Sequence, residues 1–82
     1  MIVNIPAQGE LLDNDAEVLK IKITSILDFG DWEGIVLASV SFGVHPYVTW
    51  RICGSAIGVQ DIVSGSYFLD YEDGYNDFLD RR

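Results

Sequence analysis

The sequence predicts an α+β fold: an antiparallel meander sheet of three or four strands with a C-terminal amphipathic helix packed on one face. Three observations predict it. Residues 34–42, 47–53 and 62–69 are strand-like runs, alternating with the period of two of a half-buried strand, in the first of them only beyond Ala38. The stretches between them, Gly43-Val-His-Pro46 and the small-residue run 54–60, read as connections. Residues 70–82 place Tyr71, Tyr75, Phe78 and Leu79 at i, i+4, i+7 and i+8, which is one stripe of a helix.

Taken in order, residues 1–14 mix apolar residues with Pro6, Gly9 and Asp13-Asn14 and read as an irregular arm, with a short extended piece at 2–5. Residues 15–29 admit two readings. Leu19-Lys-Ile-Lys-Ile-Thr24 alternates as a strand does, with Lys20 and Lys22 on the outer face, where lysine suits an edge. Asn14 with Glu17 three residues on, and Gly30 beyond, would instead cap a helix. The strand is favoured, because a helix leaves Val18 and Ile21 on its wet side. Asp-Phe-Gly-Asp-Trp-Glu-Gly, residues 28–34, reads as a turn. Its Trp32 either folds back to cap the core or stands out as an aromatic anchor.

The following strand puts Val36, Ala38, Val40 and Phe42 on one face. Pro46 cannot donate to a ladder, so the next strand begins at Tyr47, with Val48, Trp50 and Ile52 sharing a face. Gly65 interrupts the third run and implies a large close neighbour, for which Trp50 is the candidate. Asp70 is placed to cap the helix, Glu72 and Asp73 lie in its favourable first turn, and Arg81 and Arg82 lie at its end. Opposite the apolar stripe the spacing sets Glu72, Asp73, Asn76, Asp77 and Asp80.

Eighty-two residues make one small domain, spanning 1–82, which buries roughly 60% of the surface its unfolded chain exposes. A hydrophobic fraction of 49% is enough for a core. Thirteen Asp and Glu against five Lys and Arg give a net charge of -8, which repels nucleic-acid phosphates and anionic membranes and attracts basic clefts. The layout is uneven: residues 34–60 carry one charge, Arg51, so a neutral sheet is flanked by two acidic arms. A single cysteine, Cys53, fits a reducing cytoplasm, and neither a signal peptide nor a membrane span is expected.

Few residues suit catalysis. His45 precedes a proline in a turn while Cys53 ends the following strand, about 23 Å away if extended, so no Cys/His couple is expected. Zinc-ligand spacing is absent, and Asp70-Tyr-Glu72-Asp73-Gly74 puts its glycine one residue early for a calcium loop. No enzyme, cofactor or metal is expected. What remains is a surface on which carboxylates several ångströms apart could occupy phosphate positions in a basic cleft.

Tyr47-Val-Thr-Trp-Arg51, Gly65-Ser-Tyr-Phe-Leu-Asp-Tyr-Glu-Asp73 and Asp77-Phe-Leu-Asp-Arg81 resemble a pattern in small acidic uncharacterised proteins of Gram-positive bacteria and their phages. In architecture and charge the chain is also similar in kind to type II anti-CRISPR proteins. That resemblance implies a mechanism in which acidic side chains fill the DNA-reading cleft of a Cas9-type nuclease, and it transfers no functional residue. The resulting expectation is a non-enzymatic inhibitor that binds a basic nucleic-acid-handling protein in a bacterial host. Asp28, Asp31, Glu33, Glu72, Asp73, Asp77 and Asp80 would make the charged contacts, with Trp32 or Tyr71 as anchor. The alternative is an adaptor or regulatory module that docks a protein or self-associates through a sheet edge or exposed aromatics.

Overall fold

The computed structural model describes residues 5–27, 30–41, 44–55 and 60–81. The expected extended piece at 2–5 rests mostly on residues outside this set, as do the expectations for Asp28, Phe42 and Arg82. Four strands, β1 (Glu17–Ile26), β2 (Trp32–Ser39), β3 (Tyr47–Gly54) and β4 (Gln60–Phe68), are followed by helix α1 (Tyr71–Asp80). They form one antiparallel sheet in meander order, β1-β2-β3-β4, with α1 packed against it.

The second segment is thus a strand, and an edge one. Asn14 caps no helix: its side-chain oxygen accepts a hydrogen bond from the Ala16 N–H at 3.1 Å, a turn in which Asp15 takes a φ of 67°. This turn folds the arm back on β1, where Gly9 N–H donates to the Val18 carbonyl at 2.8 Å and Val18 N–H to Glu10 at 2.9 Å. Leu12 and Ala16 are thereby buried.

Both faces of β2 are covered, as its nearly unbroken run Ile-Val-Leu-Ala requires. One face joins Val18, Trp32, Val36, Ala38, Val40, Val48, Trp50 and Ile52 in a core closed by Leu12 and Ala16 of the arm. On the other, Ile35 and Leu37 pack against Phe78 of the helix. Gly65 meets Trp50 as expected: a Cβ there would stand 2.6 Å from the indole nitrogen.

The helix is rotated relative to the expected stripe. Gly74 and Phe78 are buried and Tyr75 is half-buried, while Tyr71 and Leu79 are exposed. Gly74 permits this, since a Cβ there would already press on Leu37 Cδ1 at 3.0 Å. The rotation carries Asp77 to the sheet side, where it accepts a hydrogen bond from the fully buried hydroxyl of Thr49. Asp70 occupies the N-cap position without a side-chain capping bond.

Lys20 and Lys22 likewise leave the expected outer face. Their register opposite Leu37 and Ile35 puts them on the helix-bearing side. Lys20 Nζ lies 5.5 Å from the Tyr75 ring centroid and Lys22 Nζ 5.0 Å from that of Phe78, and Lys22 donates to the Leu79 carbonyl at 3.2 Å. Their apolar stems follow the helix and their charges answer its C-terminal dipole.

Candidate functional site

Two groups of the expected contact residues are brought into separate places. The first lies on α1, where Glu72 and Asp73 are exposed beside Tyr71, itself at 40% exposure, and Asp80 is exposed at the other end of the helix. Tyr71 is held upright: its ring stands edge-on to Tyr47 at 5.7 Å and stacks on Tyr75 at 5.9 Å. Asp77 leaves this group. It ties the helix down, with Arg81 Nε donating to its Oδ2 at 3.0 Å, and Arg81 in turn donating to the Ser64 carbonyl at 2.6 Å and to Ser66 Oγ at 2.7 Å.

The second group gathers at the far end of the sheet. Register places Glu33 opposite Cys53, and Cys53 opposite Asp61, on one face of three neighbouring strands. The two acidic arms of the sequence therefore meet across Cys53, with exposed Asp31 close by. A cleft of about 200 Å³ opens here, lined by Leu27, Asp31, Trp32, Glu33, Cys53, Gly54, Ser55 and Asp61. Asp61 and Cys53 were not among the expected contact residues, because their approach to Glu33 exists only once strand register is known. Alternation along 47–53 and 62–69 was the available signal.

Trp32 is no exposed anchor. It is the first residue of β2 and 0% exposed, with its indole laid against Gly54, where any Cβ would collide with the ring. The acidic, glycine-rich surroundings that read as a turn are only the edge of the strand. Its Nε1 is buried without a hydrogen-bond partner among the described residues. The turn itself is shorter: Leu27 N–H donates to the Asp31 carbonyl at 2.7 Å, and Gly30 supplies a φ of 84°.

Burial first, then the charges of Glu33 and Asp61, push the half-buried Cys53 thiol above its ordinary range, with Arg51 opposing. Because the folded state favours the protonated thiol, this contribution to stability is full below the unfolded thiol's pKa. It is lost as pH rises through the folded value. Alkylation by iodoacetamide is expected to reach half its limiting rate at higher pH in the native chain than in urea. The double substitution Glu33→Gln/Asp61→Asn should bring that midpoint down; an unchanged midpoint would separate the carboxylates from the thiol.

Among the described residues, no group of three or more His, Cys, Asp and Glu is disposed to hold a metal ion, and no helix is long and apolar enough to cross a membrane. His45 is exposed, and β3 separates it from Cys53. Comparisons with protein-family models, with curated proteins and with solved structures found no match.

Proposed function

We propose that this chain is a non-enzymatic acidic inhibitor that binds the nucleic-acid cleft of a basic protein by electrostatic mimicry. It would come from a phage or other mobile element and act in the cytoplasm of a bacterial host. A Cas9-type nuclease is the partner class implied by the resemblance to type II anti-CRISPR proteins.

The observation that carries this reading is the state of the charges. Ten carboxylates, those of Glu10, Asp13, Asp15, Glu17, Asp31, Asp61, Asp70, Glu72, Asp73 and Asp80, are exposed. The ion pair of Arg81 takes Asp77, which is not one of the ten. Among the described residues, Lys20 and Lys22 lie on rings of α1, Arg81 on Asp77 and β4, and Arg51 has an interaction of its own. The negative field is thus left for a partner. Two concentrations sit near opposite ends of β3: Glu72 and Asp73 adjoin Tyr71, whose ring meets Tyr47, while Asp31 and Asp61 gather by Cys53; the separation is about 20 Å at the rise of a strand, a span over which one strand of a duplex presents about six phosphates.

The test is capture of proteins from a bacterial extract with the immobilised chain across a salt series, with free DNA as competitor. A basic nuclease should be retained at low salt, released as ionic strength rises, and displaced by DNA. Exposed Val63, Tyr67 and Leu69 favour a second reading, an adaptor that docks through apolar contacts. It predicts a partner indifferent to both salt and DNA, and that result would replace mimicry.

A further inference from the structure

We propose that the cleft bounded by Trp32 and Gly54 at the end of the sheet binds one arginine residue of a partner polypeptide, the guanidinium held between Glu33 and Asp61 and the main-chain carbonyl accepting from the Trp32 indole. The inference deepens the mimicry reading by naming what this acidic end takes hold of, and it rests on that reading for the kind of partner.

The indole is what points to a ligand. Trp32 is 0% exposed, and its Nε1–H has no acceptor among the described residues. Buried donors are rarely left so, because nothing replaces the water they gave up. The nitrogen edge of the ring lies against Gly54, where a Cβ would stand 2.4 Å from Nε1. Both residues line the cleft of about 200 Å³, so the missing side chain of Gly54 opens the donor toward it. A carbonyl entering the cleft completes the bond.

Charge selects the rest of the ligand. Glu33, Cys53 and Asp61 form a row across three strands, and exposed Asp31 lines the same cleft. The potential at the floor is negative, because Glu33 and Asp61 each act on the Cys53 thiol more strongly than Arg51 does. An anion is thereby refused. A metal ion is poorly served, since among the described residues no group of three or more His, Cys, Asp and Glu is disposed to hold one, and a bare ion brings no acceptor to the indole. The fitting ligand is an organic cation that also carries an acceptor. Lysine and arginine side chains are donors only, so the acceptor is the main-chain carbonyl that accompanies them.

Arginine suits the spacing. Glu33 and Asp61 stand on strands two apart, with about 10 Å between their backbones, and carboxylates reaching inward from both sides can take the two edges of one planar guanidinium. A lysine ammonium, compact and strongly hydrated, does not bridge such a gap. The cleft is smaller than the roughly 300–1,000 Å³ of sites for drug-sized ligands, in keeping with a single side chain. Exposed Leu27 at its wall receives the aliphatic stem.

Titration of the ¹⁵N-labelled chain with N-acetyl-arginine methylamide, followed by nuclear magnetic resonance at low salt, tests this. The Trp32 indole N–H resonance should move and saturate with a Kd on the order of 1 mM. The lysine diamide should bind at least about fivefold more weakly. Agmatine, a guanidinium without a carbonyl, should leave the indole resonance in place. Glu33→Gln/Asp61→Asn should weaken the arginine diamide by roughly tenfold or more. If that variant does not fold by circular dichroism, the comparison of arginine with lysine on the wild type decides. An unmoved Trp32 indole resonance, equal binding of the lysine diamide, or full affinity in the folded double variant would each overturn the proposal. Failure here is separable from failure of mimicry. A chain that captures a basic nuclease while its cleft ignores the diamide loses this site and keeps mimicry; one that takes the diamide but captures no nuclease keeps the site and loses mimicry.

Discussion

Trp32→Ala is expected to lower stability by about 3–5 kcal/mol, the cost of deleting a fully buried aromatic. A domain of this size is stable by roughly 5 kcal/mol or a little more, so the variant should be largely unfolded or close to it. The reason lies in placement. Trp32 opens β2 beside Gly54 of β3 and fills one end of the core that continues through Val36, Trp50 and Ile52. Neither the arm nor a neighbouring strand can collapse into its volume, because Gly54 contributes no side chain and the backbone beneath it is held in the ladder. Trp32→Phe separates packing from polarity. The Nε1–H has no partner among the described residues, so phenylalanine removes an unsatisfied donor together with some volume and should cost less than about 1.5 kcal/mol. Urea titration followed by far-ultraviolet circular dichroism reads both changes. A Trp32→Ala variant with an unaltered midpoint would show that this indole does not hold the core.

What was legible in the sequence followed from periodicity. Alternation in 47–53 put Val48, Trp50 and Ile52 together, the glycine in 62–69 pointed to Trp50, and both are realised. The alternation of Leu19 to Thr24 likewise identified β1 against a plausible helix cap. Composition was less dependable than period. Asp31 and Gly34 are turn formers and predict a turn around Trp32, yet Gly34 lies within β2, where a Cβ would meet the Lys22 carbonyl at 2.5 Å. Close approach, rather than turn geometry, calls for the glycine. On the helix, an apolar stripe alone could not fix the packed face. The burial of Thr49 demanded an acceptor, Gly74 allowed the backbone near Leu37, and these two requirements turned Asp77 inward. The row Glu33, Cys53 and Asp61 is a long-range product of register, with no local signal in any one segment.

Charge reversal on the exposed carboxylates is expected to abolish the proposed mimicry while leaving the fold in place, provided Asp77 is spared. The helix set is Glu72→Lys, Asp73→Lys and Asp80→Lys; the sheet-end set is Asp31→Lys and Asp61→Lys. Lysine at the first turn of α1 opposes the dipole at about 0.3–1 kcal/mol per residue, whereas lysine in place of Asp80 at its last turn gains a similar amount. The helix set should therefore remain folded. Against the nuclease captured from extract, each set should weaken binding by roughly tenfold to a hundredfold at low salt and flatten the dependence on ionic strength. Asp77→Asn supplies the contrast. It weakens the bonds to Thr49 and Arg81 that pin the helix, so it should lower stability by about 1–3 kcal/mol and leave the salt dependence as steep as before. A loss confined to the sheet-end set would place the contact at Glu33, Cys53 and Asp61; a loss confined to the helix set would place it beside Tyr71. Reversal of both sets with undiminished affinity and an unchanged salt slope would show that the acidity of this surface takes no part in recognition.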